Sequence, residues 1–296
     1  MPPRPSDVSV VVLSYARPEM LECALRSIVD QTDPPREVTV VDNQSVRSAE
    51  VAAVVSRFPT CRLVACADNR GFTGGMNRGL AEVSGEYVYL TEDDVELEPH
   101  CLERLFAYLR AHPETGIAGP IMLNRGEGTV RCAGGSFALG PVFTMSVERA
   151  MPAVDTGPFR TGYIPGASIA ARTALIRTLG GFRHDFFMYW EDVDLCAQIL
   201  ARGLDIRMIP DARVLHFEPP ETPPSDLVAF HKTKNLPALY LLNAEWTALP
   251  EFLVRYGVLG VLRASGRGWR ELQIFAAAWI WTLLHAGTFL HDRRVR

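Results

Sequence analysis

The chain has 296 residues, 48% hydrophobic and 22% charged, which is the composition of a globular protein large enough for one large domain or two small ones. Its formal net charge of -4 gives no reason to expect nucleic-acid binding. The six cysteines are scattered without a Cys-x-x-Cys pair and the N-terminus lacks the layout of a signal peptide, so we expect a cytoplasmic protein with free thiols rather than a disulfide-linked or zinc-binding one.

Strand and helix patterns alternate over the first 65 residues. Residues 8–13, VSVVVL, form an apolar, β-branched run typical of a parallel strand that is buried on both faces. Apolar residues follow at helical spacing over 19–29. Strands are predicted over 37–41 and 61–65, with a helix over 49–58 between them. This alternation predicts a parallel sheet that is covered by helices on both faces.

A glycine-rich turn is predicted next, over 69–77, and it leads into a short helix that ends at residue 83. No G-x-G-x-x-G sequence follows the first strand, and the chain contains no Walker A sequence. A nucleotide, if the protein binds one, is therefore held by other means than these two phosphate-binding loops.

Three consecutive carboxylates follow the next predicted strand. Residues 87–90, YVYL, indicate a buried strand, and Glu92, Asp93 and Asp94 come directly after it. Because like charges repel, such a cluster indicates either a solvated strand end or a site for a hard divalent cation, Mg²⁺ or Mn²⁺, with oxygen ligands. The position favours the cation site, since ligands of open α/β sheets bind beyond the carboxyl ends of the strands.

The second half of the chain is less regular. A Gly- and Pro-rich stretch over 124–165 is expected to be irregular, with hairpins near Val130 and Phe143. The other elements predicted here are a helix over 99–112, a strand over 116–122, ordered core over 163–171, helices over 172–179 and 192–202, and strands over 205–209 and 214–216.

A mostly helical region is expected over 225–296, after a Pro-rich linker at 219–224. Within it, residues 272–290 contain no Asp, Glu, Lys or Arg, and this length is near the threshold for a membrane span. Arginines flank the segment at both ends, so the positive-inside rule gives no orientation. Two alternatives stay open: an interfacial helix against anionic lipid, or burial in a homodimer or against the rest of the chain.

Seven motifs, in this order along residues 7–218, resemble those of the inverting family 2 glycosyltransferases, and especially the rhamnosyltransferase-like branch that glycosylates cell-wall, O-antigen or natural-product acceptors. They are VSVVVLSYARPEMLECALRSI, VVDNQS, NRGFTGGMNRGL, YLTEDDVELEP, PGASIAARTALIRTLGGF, FFMYWEDVDLCAQILARG and IPDARVLHFEP. The resemblance implies a GT-A fold, which is a Rossmann-like α/β architecture with a mostly parallel sheet flanked by helices, here followed by a helical C-terminal tail.

The resemblance also implies that different parts of the chain bind the donor and the acceptor. A catalytic domain over 1–218 would bind a nucleoside-diphosphate sugar, UDP- or dTDP-linked, with its first half (1–123) and a hydroxyl acceptor with its second half (124–218). The acceptor would be a lipid-linked saccharide, a cell-wall glycan or a natural product. The protein would be cytoplasmic, or peripheral on the inner face of the cell membrane.

Individual roles are implied by the same resemblance. The residues that would contact the nucleotide-sugar are Ser14, Tyr15, Arg17, Asp42, Asn69, Gly71, Gly75, Asn77, Glu92 and Asp93. The Mg²⁺ or Mn²⁺ ion would be held by Asp94, with Glu92 and His216 as further ligands. Glu92 stands where the family's Asp-x-Asp motif begins with Asp, so it reaches either the metal or the ribose.

The catalytic carboxylates implied by the resemblance are Asp192, as general base, and Glu191. An acceptor hydroxyl that attacks the anomeric carbon must lose a proton, and a single displacement inverts the anomeric centre. Tyr189 and Trp190 would form the wall of the acceptor site.

Plainer interpretations stand beside these roles. Asp192 would equally suit a helix N-terminus, where the dipole favours acids. Asp42 would equally cap the turn after its strand, and His216 would equally be a hydrogen-bonded structural histidine. A processive synthase is disfavoured because no Q-x-x-R-W sequence follows the acidic motif. A non-catalytic nucleotide-sugar-binding scaffold with a decayed site remains the alternative function.

Overall fold

The computed structural model describes residues 7–153, 157–217 and 225–295, and the Pro-rich linker predicted at 219–224 lies outside them. The strands are β1 (Val8–Ser14), β2 (Glu37–Asp42), β3 (Cys61–Ala65), β4 (Tyr87–Glu92), β5 (Val95–Leu97), β6 (Thr115–Asn124), β7 (Val130–Cys132), β8 (Gly135–Leu139), β9 (Phe143–Val147), β10 (Phe159–Arg160), β11 (Ser168–Arg172) and β12 (Asp205–His216). The α-helices are α1 (Pro18–Val29), α2 (Ser48–Val55), α3 (Gly71–Leu80), α4 (Cys101–Ala111), α5 (Thr173–Thr178), α6 (Glu191–Ala201), α7 (Asp226–Asn243), α8 (Leu249–Phe252), α9 (Leu259–Arg267) and α10 (Trp269–Val295).

The main sheet has the order β10-β12-β6-β11-β4-β1-β2-β3. Strands β3, β2, β1 and β4 are mutually parallel, as are β6 and β12, whereas β11 runs antiparallel between β4 and β6. The chain leaves β1 towards β2 on one side, and β4 returns to the other side of β1. This reversal of strand order opens a crevice beyond the carboxyl ends of β1 and β4, where α/β sheets bind ligands.

Strand β1 is buried on both faces, as its almost continuous apolar run predicts. Val10 and Val12 pack into one apolar cluster with helices α1, α2 and α4. Val11 and Leu13 pack into the other, which includes α3, α5 and α6. The prediction of an α/β fold, with a mostly parallel sheet between helical layers and a helical C-terminal tail, is confirmed.

The glycine-rich segment corrects one prediction. The residues expected to form a turn over 69–77 instead begin helix α3 at Gly71. A Cβ at Gly75 would lie 2.4 Å from Leu13 Cδ1, and one at Gly79 would lie 2.3 Å from Val11 Cγ1. Low helix propensity is therefore overridden by close helix-to-sheet packing, and Gly75 lacks a side chain because β1 lies beneath it.

Residues 124–153 and 157–165 contain more regular structure than the sequence indicated. Strand β7 pairs with β6, and β8 and β9 form a separate antiparallel hairpin. Strand β12 is continuous where two strands were predicted, with a register irregularity between Ile209 and Arg213. The gap between the predicted strands is thus a local bulge.

The C-terminal helices form a layer on the α6 side of the sheet. Helix α10 runs along α7, and Ala278 and Phe289 on its inner face are fully buried. Among the described residues, one helix, over Trp269–Arg294, is long and apolar enough to cross a membrane by length and composition, and 17% of that apolar window is buried inside the protein. The inner face of α10 therefore belongs to the folded core, while its outer face is exposed.

Candidate active site

The acidic cluster lies at the carboxyl edge of the sheet. Glu92 is the last residue of β4, opposite Leu13 of β1, and Asp93 follows in the turn towards β5. Asp93 is fully buried, and its Oδ2 accepts a hydrogen bond of 3.0 Å from the backbone N–H of Tyr15. Its Oδ1 lies 2.5 Å from the Arg17 guanidinium. Asp93 therefore fixes the loop between β1 and α1 against the end of β4.

Arg17 neutralises much of the cluster. Its guanidinium also lies 2.5 Å from Asp94 Oδ2, so one cation bridges two carboxylates. Burial would lower the pKa of Arg17, but the charges of Asp93, Asp94 and Glu92 outweigh burial and raise it. Burial, with the charge of Asp94 added to it, raises the pKa of Glu92 to about 8. Burial and the neighbouring carboxylates therefore favour the protonated form of Glu92.

A cavity of about 320 Å³ opens beside this cluster. Six of the residues predicted for the site line it together: Glu92, Tyr189, Trp190, Glu191, Asp192 and His216. Phe72 of α3 and Tyr163 also contribute to the lining. A larger cavity, of about 830 Å³, lies at the other end of α6 and is lined by none of the predicted site residues.

The two carboxylates predicted for catalysis begin helix α6. The Tyr163 hydroxyl donates a 2.6 Å hydrogen bond to Asp192 Oδ2, and the Val193 N–H donates one of 2.8 Å to Oδ1. Burial raises the pKa of Asp192, although these hydrogen bonds act in the opposite direction. Burial, reinforced by the charge of Asp192, raises the pKa of Glu191 well above its usual range, and Glu191 Oε2 is buried without a hydrogen-bond partner. Asp192 is therefore held in one orientation, whereas Glu191 is stabilised in its neutral form.

Tyr189 and Trp190 form one wall of the cavity, and both have positive φ angles of 69°. The Trp190 ring packs edge-on against Phe143 of the β8–β9 hairpin, with 5.1 Å between ring centroids, and its Nε1–H donates to the backbone carbonyl of Lys232. Tyr189 is 37% exposed, with the Lys232 ammonium 4.4 Å from its ring centroid. The wall is thus built by the hairpin and by α7 together.

His216 approaches the acidic cluster because it ends β12, opposite Val95 of β5. Its Nε2 lies 3.7 Å from Asp94 Oδ1. Over residues 7–153, 157–217 and 225–295, no three His, Cys, Asp or Glu side chains form a ready-made metal cluster. Carboxylate oxygens suit Mn²⁺ or Mg²⁺ when substrate phosphates complete the shell, so Asp94 fits a cation that binds together with a diphosphate, with the His216 imidazole as a further, softer donor.

The residues predicted for the nucleotide occupy the neighbouring strand ends. Ser14 ends β1 opposite Asp42, which ends β2. Ser14 is fully buried, whereas the Tyr15 side chain is 45% exposed at the mouth of the crevice. Asp42 Oδ1 accepts a 3.0 Å hydrogen bond from the Ser45 N–H, which is the turn-capping role. Contacts of these three residues with a nucleotide stay a prediction.

The glycine-rich segment holds its predicted residues by internal hydrogen bonds. Asn69 Oδ1 accepts from the N–H of Gly71, at 2.9 Å. Asn77 is engaged on both sides by the backbone of Phe182, with distances of 2.5 and 2.8 Å, and it lines a different small cavity beside Arg177. The structure therefore does not bring Asn77 to the acidic cavity, because its amide closes the turn after α5.

Two residues of this site were not singled out from the sequence. Tyr163 is the hydrogen-bond donor to Asp192 and is separated from it by 29 residues, so no local pattern links them. Asn43 donates to the carbonyl of Gly71 and accepts from the N–H of Arg70, which fixes the start of α3. The signal in the sequence that could have identified Asn43 was its position directly after Asp42.

Comparison with known protein families gives two overlapping matches, which together run from residue 9 to residue 295. The model described as "Glycosyl transferase family 2" matches residues 9–145, and the model described as "Glycosyl transferase family group 2" matches residues 87–295. A similar curated relative is the N-acetylglucosaminyl-diphospho-decaprenol L-rhamnosyltransferase of Mycobacterium tuberculosis. It is 28% identical over 250 residues, which cover 76% of this chain and 81% of that protein.

Solved structures with the same fold include GalNAc-T7 with UDP, GalNAc and Mn²⁺, at a TM-score of 0.68 and 14% identity, covering 95% of this chain and 57% of the other. The mannosyltransferase PcManGT from Pyrobaculum calidifontis, in complex with GDP-Man and Mn²⁺, gives a TM-score of 0.56 at 18% identity. That match covers 99% of this chain and 88% of the other. At these identities the likeness concerns the fold.

Proposed function

This chain belongs to glycosyltransferase family 2, in its rhamnosyltransferase-like branch, and we propose that it transfers a sugar from a UDP- or dTDP-linked donor to an acceptor hydroxyl with inversion. The observation that carries the proposal is the 320 Å³ cavity, where Glu92 and His216 meet Asp192 beside an aromatic wall. The name of the mycobacterial relative supports a lipid-linked saccharide as acceptor, in preference to a natural product.

The donor would bind in the crevice beyond β1 and β4, with residues 1–123 as the donor half and 124–218 as the acceptor half of the catalytic domain. Arg17 and Tyr15 stand at the mouth of this crevice. Asp94 and His216 would hold a Mg²⁺ or Mn²⁺ ion, which would supply positive charge to neutralise a departing diphosphate. The Mn²⁺ in the two neighbouring structures supports a divalent ion without choosing between the two metals.

Asp192 would accept the proton of the attacking hydroxyl. Its carboxylate lines the cavity and keeps a fixed orientation through Tyr163 and Val193, which a positioned general base requires. Burial makes it a stronger base than an exposed aspartate. A single displacement with the base opposite the leaving group inverts the anomeric carbon.

The experiment is a transfer assay with UDP- and dTDP-sugars, with and without Mn²⁺, on the wild type and on Asp192→Asn. We expect the variant to lose transfer by about 10²-fold or more, since general-base catalysis contributes that much, and to keep donor binding by calorimetry. Asp194→Asn is the matched control, because Asp194 lies on the same helix but faces Gln198 and Asn243. Full activity in Asp192→Asn would refute the assignment of Asp192 as the general base. Donor binding with no turnover in the wild type would favour the scaffold alternative.

We further propose that the C-terminal layer contacts the cytoplasmic face of an anionic membrane. Leu262 of α9 and Leu283 and Leu284 of α10 are 63%, 66% and 78% exposed. Seven arginines and three acidic residues lie between residue 251 and the C-terminus, so the region that carries this apolar surface has a net positive charge, which favours contact with anionic lipid.

A surface contact is favoured over a span because the inner face of α10 is occupied. The Thr282 hydroxyl donates to the Lys234 carbonyl at 3.0 Å, and Asp292 pairs with Arg183 at 2.7 Å. A spanning helix would have to break these contacts, whereas an interfacial helix needs only its outer face.

Vesicle flotation tests this surface contact. Wild-type protein should float with vesicles of phosphatidylcholine and phosphatidylglycerol, and less with phosphatidylcholine alone. The double variant Leu283→Glu, Leu284→Glu should stay in solution, whereas Val46→Glu, at an 89% exposed site on the catalytic domain, should behave as wild type. If the wild type fails to float and sediments as a dimer that the double variant disrupts, the surface is a homodimer interface.

A further inference from the structure

The segment before helix α6 has an unusual backbone. Phe187, Tyr189 and Trp190 all have positive φ angles, between 65° and 69°, although none is glycine. Phe187, with φ 65° and ψ −57°, is the centre of a γ-turn in which the Met188 N–H donates to the Phe186 carbonyl at 2.7 Å. L-residues adopt such conformations only when the surroundings impose them, and such strain is concentrated at functional sites.

Helix α7 is what imposes this conformation. Asn235 is fully buried, and its Nδ2 lies 2.9 Å from the carbonyl oxygen of Phe186 and 2.8 Å from those of Met188 and Tyr189. One side-chain NH₂ group, with two hydrogens to donate, thus lies within hydrogen-bond distance of three carbonyls of a five-residue segment. The neighbouring Lys234 donates its ammonium to the Asp185 carbonyl.

The remaining carbonyls of the segment are also satisfied. The Phe187 carbonyl accepts a 3.1 Å hydrogen bond from the Thr73 N–H of α3, and the Trp190 carbonyl accepts from Asp194 within α6. The segment is therefore held between the glycine-rich start of α3 and helix α7. Because it leads directly into Asp192, its conformation sets where α6 begins and where the predicted base points.

We infer that Asn235 is a positioning residue for the transfer reaction: it holds the strained 186–190 segment so that Asp192 and the Tyr189–Trp190 wall face the bound acceptor. This rests on the proposed function. It also gives the C-terminal region a role in catalysis that is independent of any membrane, since α7 lies outside the predicted catalytic domain. Asn235 touches neither reacting atoms nor the acidic cavity, so it acts through the segment alone.

The test compares Asn235→Ala with Asn243→Ala. Asn243 is on the same helix, and it donates to Asp194 of α6 at 2.8 Å and to the Leu239 carbonyl at 3.2 Å. At a temperature where both variants are folded, Asn235→Ala should lower kcat by about 100-fold, the cost of misplacing a reacting group by about 1 Å. Its donor dissociation constant should stay within about threefold of the wild type, because the donor crevice is built by other strands.

Hydrogen exchange gives a second measurement that needs no turnover. In Asn235→Ala the amides of Met188 and Thr73 should exchange at least about tenfold faster, since their bonds require the strained segment. In Asn243→Ala they should be unchanged. Asn235→Ser, which keeps one donor, should lie between the alanine variant and the wild type, and it replaces the alanine variant if that variant does not fold.

The proposed function and the positioning role of Asn235 can be refuted independently of each other. If the wild type turns over no nucleotide-sugar, the proposed function is wrong. Hydrogen exchange at Met188 and Thr73 still tests whether Asn235 holds the 186–190 segment. Unchanged exchange at Met188, or a fall in kcat no larger in Asn235→Ala than in Asn243→Ala, would overturn the inference.

Discussion

Removing the hydroxyl of Tyr163 should shift the pH dependence of transfer in a predictable direction. This hydroxyl donates a 2.6 Å hydrogen bond to Asp192 Oδ2 in a buried setting, and the bond favours the ionised carboxylate. Tyr163→Phe keeps the ring and its packing but leaves the carboxylate with backbone donors only. Burial already raises the pKa of Asp192, so the substitution should raise it further.

The magnitude follows from the strength of a hydrogen bond to a charged acceptor. Such bonds contribute about 1.5–3 kcal/mol, which corresponds to a factor of about 10 to 160 in the proton affinity of the carboxylate. A general base works only when ionised, so protonation removes activity on the acidic side. We therefore expect the acidic limb of the kcat/KM profile of Tyr163→Phe to move to higher pH. At pH values above that limb, where Asp192 is ionised in both proteins, kcat/KM should fall less.

The assay is initial-rate transfer across a pH series at saturating metal. Tyr240→Phe is the matched control, because the Tyr240 hydroxyl is also buried and donates at 2.8 Å, but to the neutral carbonyl of Gly140. Its profile should coincide with that of the wild type. If the acidic limb of Tyr163→Phe also coincides, or moves to lower pH, then Asp192 is not the group whose ionisation limits the rate.

Three further predictions follow from single contacts. Chelation should abolish transfer, and Asp94→Asn should raise the Mn²⁺ concentration that gives half-maximal rate by at least about tenfold, whereas an unchanged requirement would remove Asp94 as a ligand. In urea unfolding, Gly79→Ala should lower the free energy of unfolding by about 1–3 kcal/mol, because its Cβ would meet Val11. Gly287→Ala, with open space around it, should raise the free energy of unfolding by about 0.5–1 kcal/mol. Equal effects of the two substitutions would contradict the packing argument. Burial, with the charge of Lys234, lowers the pKa of His231 from 6.5 to about 4. The unfolded chain therefore binds the proton first, stability falls as pH drops through this range, and a His231→Leu variant should show a flatter dependence.

The acidic edge of the sheet could be predicted because its signals are local. The run over residues 8–13 of β1 is apolar except at Ser9, since both faces are buried, and Val88 and Leu90 of β4 are apolar and buried for the same reason. A buried strand that ends in three carboxylates leaves little choice about where those side chains emerge. Sequence order then places the ends of β1 and β4 at one edge, which is the geometry that brings Arg17 onto Asp93.

The glycine-rich segment was mispredicted because propensity and packing oppose each other there. Four glycines in ten residues indicate a turn when each residue is considered alone. The structure shows that Gly75 and Gly79 face β1, where any side chain would overlap Leu13 or Val11. Glycine at this spacing therefore permits close approach of helix to sheet, a reason that becomes visible only once the partner strand is known.

The features of the site that could not be predicted from the sequence, namely the environment and the orientation of Asp192, depend on long-range polar contacts. Asp192 was found from its motif, but its environment depends on Tyr163, and its position depends on Asn235, 43 residues further along the chain. A buried asparagine in an apolar helix has no periodic signature. What identifies it is the set of carbonyls it binds, and these exist as a set only because Phe187, Tyr189 and Trp190 adopt conformations that the sequence disfavours. Local sequence rules therefore fail at this segment for the same reason that we expect it to matter for catalysis: its conformation is imposed from outside and fixes the direction of the base.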